Sequence, residues 1–170
     1  MEFSPFERGI EASGFVAAAR EMGISVVACS PLGRGLITGR YQSSDDIEHG
    51  HFRPTLPRFA EENFHKNLEL VDRFRAFAAK HGATPGQMAL AWILAEHADF
   101  VPIPDSSNVE RFEENAYAAD IVLDAEDVEA LRAAVAAADV RGTHYPREYL
   151  ARMAVDNVPL GAWKGKKSTG

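Results

Sequence analysis

Two stretches of this chain combine residues suited to holding a phosphate group. The first is Ser30-Pro31-Leu32-Gly33-Arg34-Gly35-Leu36-Ile37-Thr38-Gly39-Arg40, which directly follows an apolar run. Glycines let a backbone approach a ligand closely, and Arg34 and Arg40 supply positive charge. The second is Pro104-Asp105-Ser106-Ser107-Asn108-Val109-Glu110-Arg111, where an apolar segment runs into a helix start. Unpaired amides at a helix N-terminus, the helix dipole and Arg111 in the first turn all favour an anion. Taken singly, each has a plain structural reading, as a tight turn and as a capped helix with an exposed arginine. Both follow expected parallel strands, however, and parallel α/β folds place ligands at the carboxyl ends of their strands. Together they point to a phosphate-bearing cofactor lying across successive strand ends.

Other groupings carry less. Asp45, Asp46, Glu48, His49 and His51 gather metal-ligand side chains within seven positions. No helix or strand fixes their geometry, so a solvated acid-rich loop is expected rather than a metal site. His65, His81 and His97 fall on or beside helices, with no Ser-His-Asp arrangement to read.

The elements that must position the two stretches follow from periodicity. Glu2-Phe3-Ser4-Pro5 reads as the end of a short strand. Ile10, Phe15, Val16, Ala19 and Met22 form a helical stripe closed by Gly23. The run Ile24 to Cys29, continuous and rich in β-branched residues, predicts a strand covered on both faces. From Ser30 to about Phe59 no period holds, and a loop of that length is usually functional or disordered. Phe64, Leu68, Val71, Phe74 and Ala78 then mark a helix ended by Gly82. Thr84-Pro85-Gly86-Gln87 supplies an N-cap, a first-turn proline and a capping-box glutamine for the next helix. Phe100 to Pro104 is a short strand, and Ser106, Ser107 or Asn108 caps a helix running from Val109 to about Ala118. Asp124 and Asp127 open a last helix with Val128, Leu131, Val135 and Ala138 on one side. Beyond Gly142 no usable period remains, and Lys164-Gly165-Lys166-Lys167 reads as part of a flexible end. Strands alternating with helices give an α/β fold with a parallel sheet.

Bulk properties bound the function. The chain has 170 residues, 46% of them hydrophobic, with a formal net charge of −7 and one cysteine. That charge disfavours nonspecific binding to nucleic acid or an anionic membrane, so an anionic ligand needs a local cluster of cations. Lone Cys29 can form no internal disulfide, which fits a reducing compartment. The N-terminus has no signal-peptide pattern, and no apolar run approaches the roughly 20 residues needed to cross a bilayer. A cytoplasmic protein is expected.

Four blocks carry a family resemblance. Glu2 to Arg8, Ala28 to Gly39, Thr84 to Trp92 and Ile103 to Asn115 resemble the aldo-keto reductase family, in order and spacing, across Glu2 to Leu150. The resemblance implies a TIM (β/α)8 barrel binding NADPH across its last strand ends and reducing an aldehyde or ketone. Residues 1–150 would be the C-terminal part of that barrel, about its last three strands with their helices, and 151–170 a flexible tail. Such barrels typically take about 250 residues, so the chain length implies a partial barrel. By the same resemblance Ser30, Leu32 and Gly33 would hold the pyrophosphate of NADP, with Arg40 a basic loop position and Arg58 a second loop cation. Ser106, Ser107 and Arg111 would surround the adenosine 2′-phosphate, while Glu114 and Asn115 would hydrogen-bond the adenine. Two positions depart from the family. Cys29 stands where an aromatic usually underlies the nicotinamide, and Asp105 sits where a carboxylate would repel the 2′-phosphate and favour NAD. The family's catalytic Asp, Tyr, Lys and His come from earlier strands and map to no residue here; Tyr41, Tyr117, Tyr145 and Tyr149 lie in other blocks. The chain is expected to begin inside the sixth barrel strand and to be inactive alone. The alternative is an inactive nucleotide-binding or structural remnant, and a third option is self-association of such pieces through exposed barrel edges.

Overall fold

A computed structural model describes residues 1–47 and 50–153. The sheet is small and parallel. Strand β1 (Val26–Cys29) pairs with β2 (Phe100–Ile103), Val26 opposite Phe100 and Cys29 opposite Ile103. The opening residues lie along the other edge of β1 through a parallel bridge between Glu2 and Cys29. The Cys29 amide donates to the Met1 carbonyl and the Phe3 amide to the Cys29 carbonyl. Pro102 is accommodated in β2 because, among the described residues, β2 is paired on one side only.

The expected helix over Ile10–Met22 is two helices, α1 (Gly9–Ala12) and α2 (Phe15–Glu21). Gly14, with a left-handed backbone, separates them and leaves Phe15 and Met22 exposed. The aperiodic stretch after β1 is a series of short 3-10 turns at Gly33–Thr38, Ser44–Asp46, Arg53–Thr55 and Pro57–Phe59. It buries Leu36, Ile37, Tyr41, Ile47, Leu56 and Phe59, which anchors it to the body of the protein. Helix α3 (Glu61–Lys80) follows, then α4 (Pro85–Glu96) behind the expected Thr84/Gln87 capping box. Asn108, one of three candidate caps, accepts from the Arg111 amide and starts α5 (Val109–Tyr117). Asp124 caps α6 (Ala125–Ala137), which buries Leu131 and Val135. Where no period was legible, residues Arg147–Met153 form α7, a helix that runs past residue 150. The remainder of the expected tail, Lys164 to Lys167 included, lies outside the described residues.

One face of the sheet packs on the helices. Phe3 stacks on Trp92 at 5.9 Å and meets Phe100 edge-on at 5.0 Å, while Phe74 closes on Trp92 from α3. The other face is open, which corrects the expectation of a strand covered on both sides. Val27 is 50% exposed, Val101 51% and Ile103 50%, alternating with buried Val26, Ala28 and Phe100. Among the described residues no helix is long and apolar enough to cross a membrane.

Candidate functional site

The two phosphate-type stretches converge. A cleft of about 730 Å³ opens at the carboxyl ends of β1 and β2, lined by Ser30, Leu32, Arg34 and Arg40 on one side. Asp105, Arg111, Glu114 and Asn115 line it on the other. The volume falls within the usual range for small-molecule sites.

Local backbone geometry builds the first wall. Ser30 (φ 52°) and Arg34 (φ 57°) are the two non-glycine residues with left-handed backbones among those described. Such conformations cost about 1–3 kcal/mol each and persist where surrounding structure enforces them. Here the Gly33 amide donates to the Ser30 carbonyl and the Gly35 amide to the Leu32 carbonyl, coiling the loop tightly. Gly33 does not line the cleft. It is buried with φ 56°, and a side chain there would come within 2.8 Å of the Phe6 ring. Its role is close packing that lets the loop turn.

Charge is arranged differently from the sequence expectation. Arg34 does not offer a free cation: its guanidinium donates to both oxygens of Glu2, at 3.1 and 3.3 Å, in a pair about nine-tenths buried. Arg58 is not a loop cation of the cleft at all. It lies buried beneath, 2.7 Å from Glu7 and 3.8 Å from Glu2, because those two carboxylates must be neutralised where water is excluded. Arg53, rather than Arg58, lines the cleft. The turn at Arg53–Thr55 brings it to the cleft beside Tyr41 and Phe52, and its Nε donates to the Arg34 carbonyl at 2.8 Å. No spacing signal separates Arg53 from Arg58 in an aperiodic loop. Arg40 lies near the Tyr41 ring, and Tyr145, from past the last legible helix, also reaches the cleft.

On the second wall, Ser106 and Ser107 do not line the cleft. The Ser106 hydroxyl donates to the Asn108 carbonyl and accepts from its amide, shaping the turn into α5. Arg111 is exposed, and among the described residues no carboxylate pairs with it. Glu114 is committed on one side, accepting from the Thr84 hydroxyl at 2.5 Å, while Gln87 donates to its backbone carbonyl. This lashes the second wall to the start of α4.

The acid-rich loop builds no metal centre among its described residues. Asp46 accepts from the Gln42 and Ser43 amides as a turn cap, which holds its carboxyl below the usual range. Glu48 and His49 lie outside the described residues. Glu11, Glu96 and His97 do bring ligand atoms within 4.8 Å of one another. Each is already engaged by an arginine, Glu11 by Arg8, Glu96 by Arg132 and His97 by Arg20, which makes the group an ion-pair network. With its Nδ1 accepting from Arg20, His97 carries its proton on Nε2 and donates to Glu11 at 2.8 Å.

Comparison with known proteins identifies the family of the chain. The model of the aldo/keto reductase family matches residues 1–136. This chain belongs to that family. Aldo-keto reductase str7 of Strobilurus tenacellus is 42% identical over 162 residues, covering 94% of this chain and 48% of the relative. Aldo-keto reductase yakc [NADP(+)] of Schizosaccharomyces pombe is 41% identical with the same coverage. A thermostable aldo-keto reductase, Tm1743, solved with the inhibitor epalrestat, aligns with a TM-score of 0.56 at 26% identity. That alignment covers 78% of this chain and 38% of the solved one. The chain thus spans about half the length of the curated relatives it matches.

Proposed function

We propose that this aldo-keto reductase chain carries the NADP-binding part of a (β/α)8 barrel whose reaction moves a hydride between NADPH and an aldehyde or ketone. The observation that carries the reading is the cleft itself: in a chain of net charge −7, Arg40, Arg53 and Arg111 converge at parallel strand ends. The donor set fits a dinucleotide phosphate. Ser30 and Leu32 bring a tightly coiled backbone to one wall for the pyrophosphate, with Arg40 and Arg53 beside it. Arg111 reaches the other wall for the 2′-phosphate, with Glu114 and Asn115 one helical turn on for the adenine. When bound, the cofactor supplies the hydride. The chain's own residues hold and orient it, and the proton donor lies outside them. Cytoplasmic placement belongs to the same reading. In a fluorescence titration the purified chain is expected to bind NADPH while showing negligible aldehyde-dependent NADPH oxidation. No binding would overturn the cofactor reading, and robust turnover would overturn the placement of the proton donor.

The open sheet face favours a second reading, in which copies of the chain associate and turnover is absent. Val27, Val101 and Ile103 form an apolar patch that water contacts in the monomer. On this reading sedimentation gives a mass above the 18.6 kDa monomer, and Val101→Lys returns it to monomer. A monomeric parent chain rules the reading out.

A further inference from the structure

The segment after α6 lies past residue 136, where the family model stops, yet it reaches the cleft through a chain of specific contacts. Buried Asn67 fixes its start: the side chain accepts from the Arg141 amide and donates to the Arg141 and Arg58 carbonyls. Gly142, with φ 78°, then passes so close to Pro57 that a side chain would stand 2.6 Å from the Pro57 backbone. His144 comes next, 3.3 Å from Glu7 and 4.0 Å from Glu2. Tyr145 completes the path, its ring centroid 4.5 Å from the Arg34 guanidinium, with Tyr149 of α7 stacked behind it.

Arg34 is the point on which this path acts. Its backbone is left-handed inside the phosphate-type loop, its carbonyl is held by Arg53, and its side chain is held by Glu2. A left-handed backbone persists where the surrounding structure over-determines it, and the Tyr145 ring adds to that hold by covering the guanidinium. We propose that residues 141–149 form a strap whose Tyr145 is a positioning residue, holding the Ser30–Gly35 loop in its cofactor-binding shape through a cation–π contact with Arg34. Phenylalanine preserves the ring contact and removes only the hydroxyl, which also interacts with Arg34. Leucine preserves bulk and apolarity but has no ring quadrupole.

The functional consequence rests on the cofactor reading above, so the test has two readouts. Hydrogen exchange of the full chain follows the loop peptides spanning 30–39, with those of α3 and α4 as an internal reference. NADPH titration follows affinity. Tyr145→Leu is expected to raise loop exchange and lower NADPH affinity about tenfold each, the scale of a partly desolvated cation–π contact, with α3 and α4 unchanged. Tyr145→Phe, which keeps the ring and loses the hydroxyl, is expected to recover most of both losses. In an Arg34→Met background Tyr145→Leu adds no further loop exchange, because the partner is already gone. Parent-like loop exchange in Tyr145→Leu, failure of phenylalanine to rescue, or full additivity with Arg34→Met overturns the strap. If the parent chain binds no NADPH, the cofactor reading falls, and loop exchange alone decides the strap.

Discussion

Replacing Arg111 with alanine weakens NADPH binding about tenfold to a hundredfold while leaving NADH binding nearly unchanged, the scale of losing a hydrogen bond to a charged group. The argument starts from charge. Arg111 lies in the first turn of α5, exposed to the cleft, with its backbone amide already used by the Asn108 cap. Its guanidinium is therefore the part left to meet a ligand, and a guanidinium matches phosphate oxygens in a bidentate way. NADPH and NADH differ only in the 2′-phosphate, so the ratio of their affinities isolates that contact. Asp105 supplies an opposing arm. Its carboxylate lines the same cleft, and Asp105→Asn removes a like charge from beside the phosphate, so NADPH affinity rises while NADH affinity holds or falls. Titrations of both cofactors with both variants, at fixed ionic strength, check the pair of signs. Equal losses of NADPH and NADH in Arg111→Ala would sink the assignment.

What the sequence disclosed follows the range of the forces involved. The caps of α4 and α6 were legible because an N-cap closes within four residues, and both stand where Thr84 and Asp124 put them. The convergence of the two phosphate-type stretches was legible because strand order alone carries both to one end of the sheet. Elsewhere local pattern misled. The Ile24–Cys29 run is apolar on both faces, yet one face is open, since composition does not say what packs against it. Arg53 and Arg58 share one aperiodic loop, and the partly buried Glu2 and Glu7, some fifty residues earlier, draw Arg58 inward while Arg53 stays at the cleft. Helix α7 spans seven residues, too few for a period, and the path leading to it is tied down by Asn67 and Arg34, both far off in sequence.

The inward turn of Arg58 has a measurable consequence for stability. Its side chain is 8% exposed and faces Glu7 at 2.7 Å, so Arg58→Met strands a half-buried carboxylate without its main cation. Removing one member of a buried pair typically costs 3–5 kcal/mol. Glu7 keeps the Gly9 amide and His144 nearby, which places the expected loss in denaturant unfolding at the low end, about 3 kcal/mol. The double variant Arg58→Met, Glu7→Gln recovers much of it, because the uncompensated charge is gone. The pH dependence carries a definite sign. Burial alone pushes the Glu7 carboxyl up, but the hydrogen bond and charge of Arg58, the Gly9 amide and His144 outweigh it and hold it below 4.5. A carboxyl lowered by folding contributes stability that is fully present above its unfolded value and lost as pH falls through the folded one. The gap between the parent and Arg58→Met is therefore full above pH 4.5 and narrows below it. Because Arg58 lies outside the cleft, the folded variant retains parent NADPH affinity. A Tm-neutral Arg58→Met would overturn the stabilising role of the pair, and one that loses cofactor while keeping its stability would give Arg58 a phosphate-holding role.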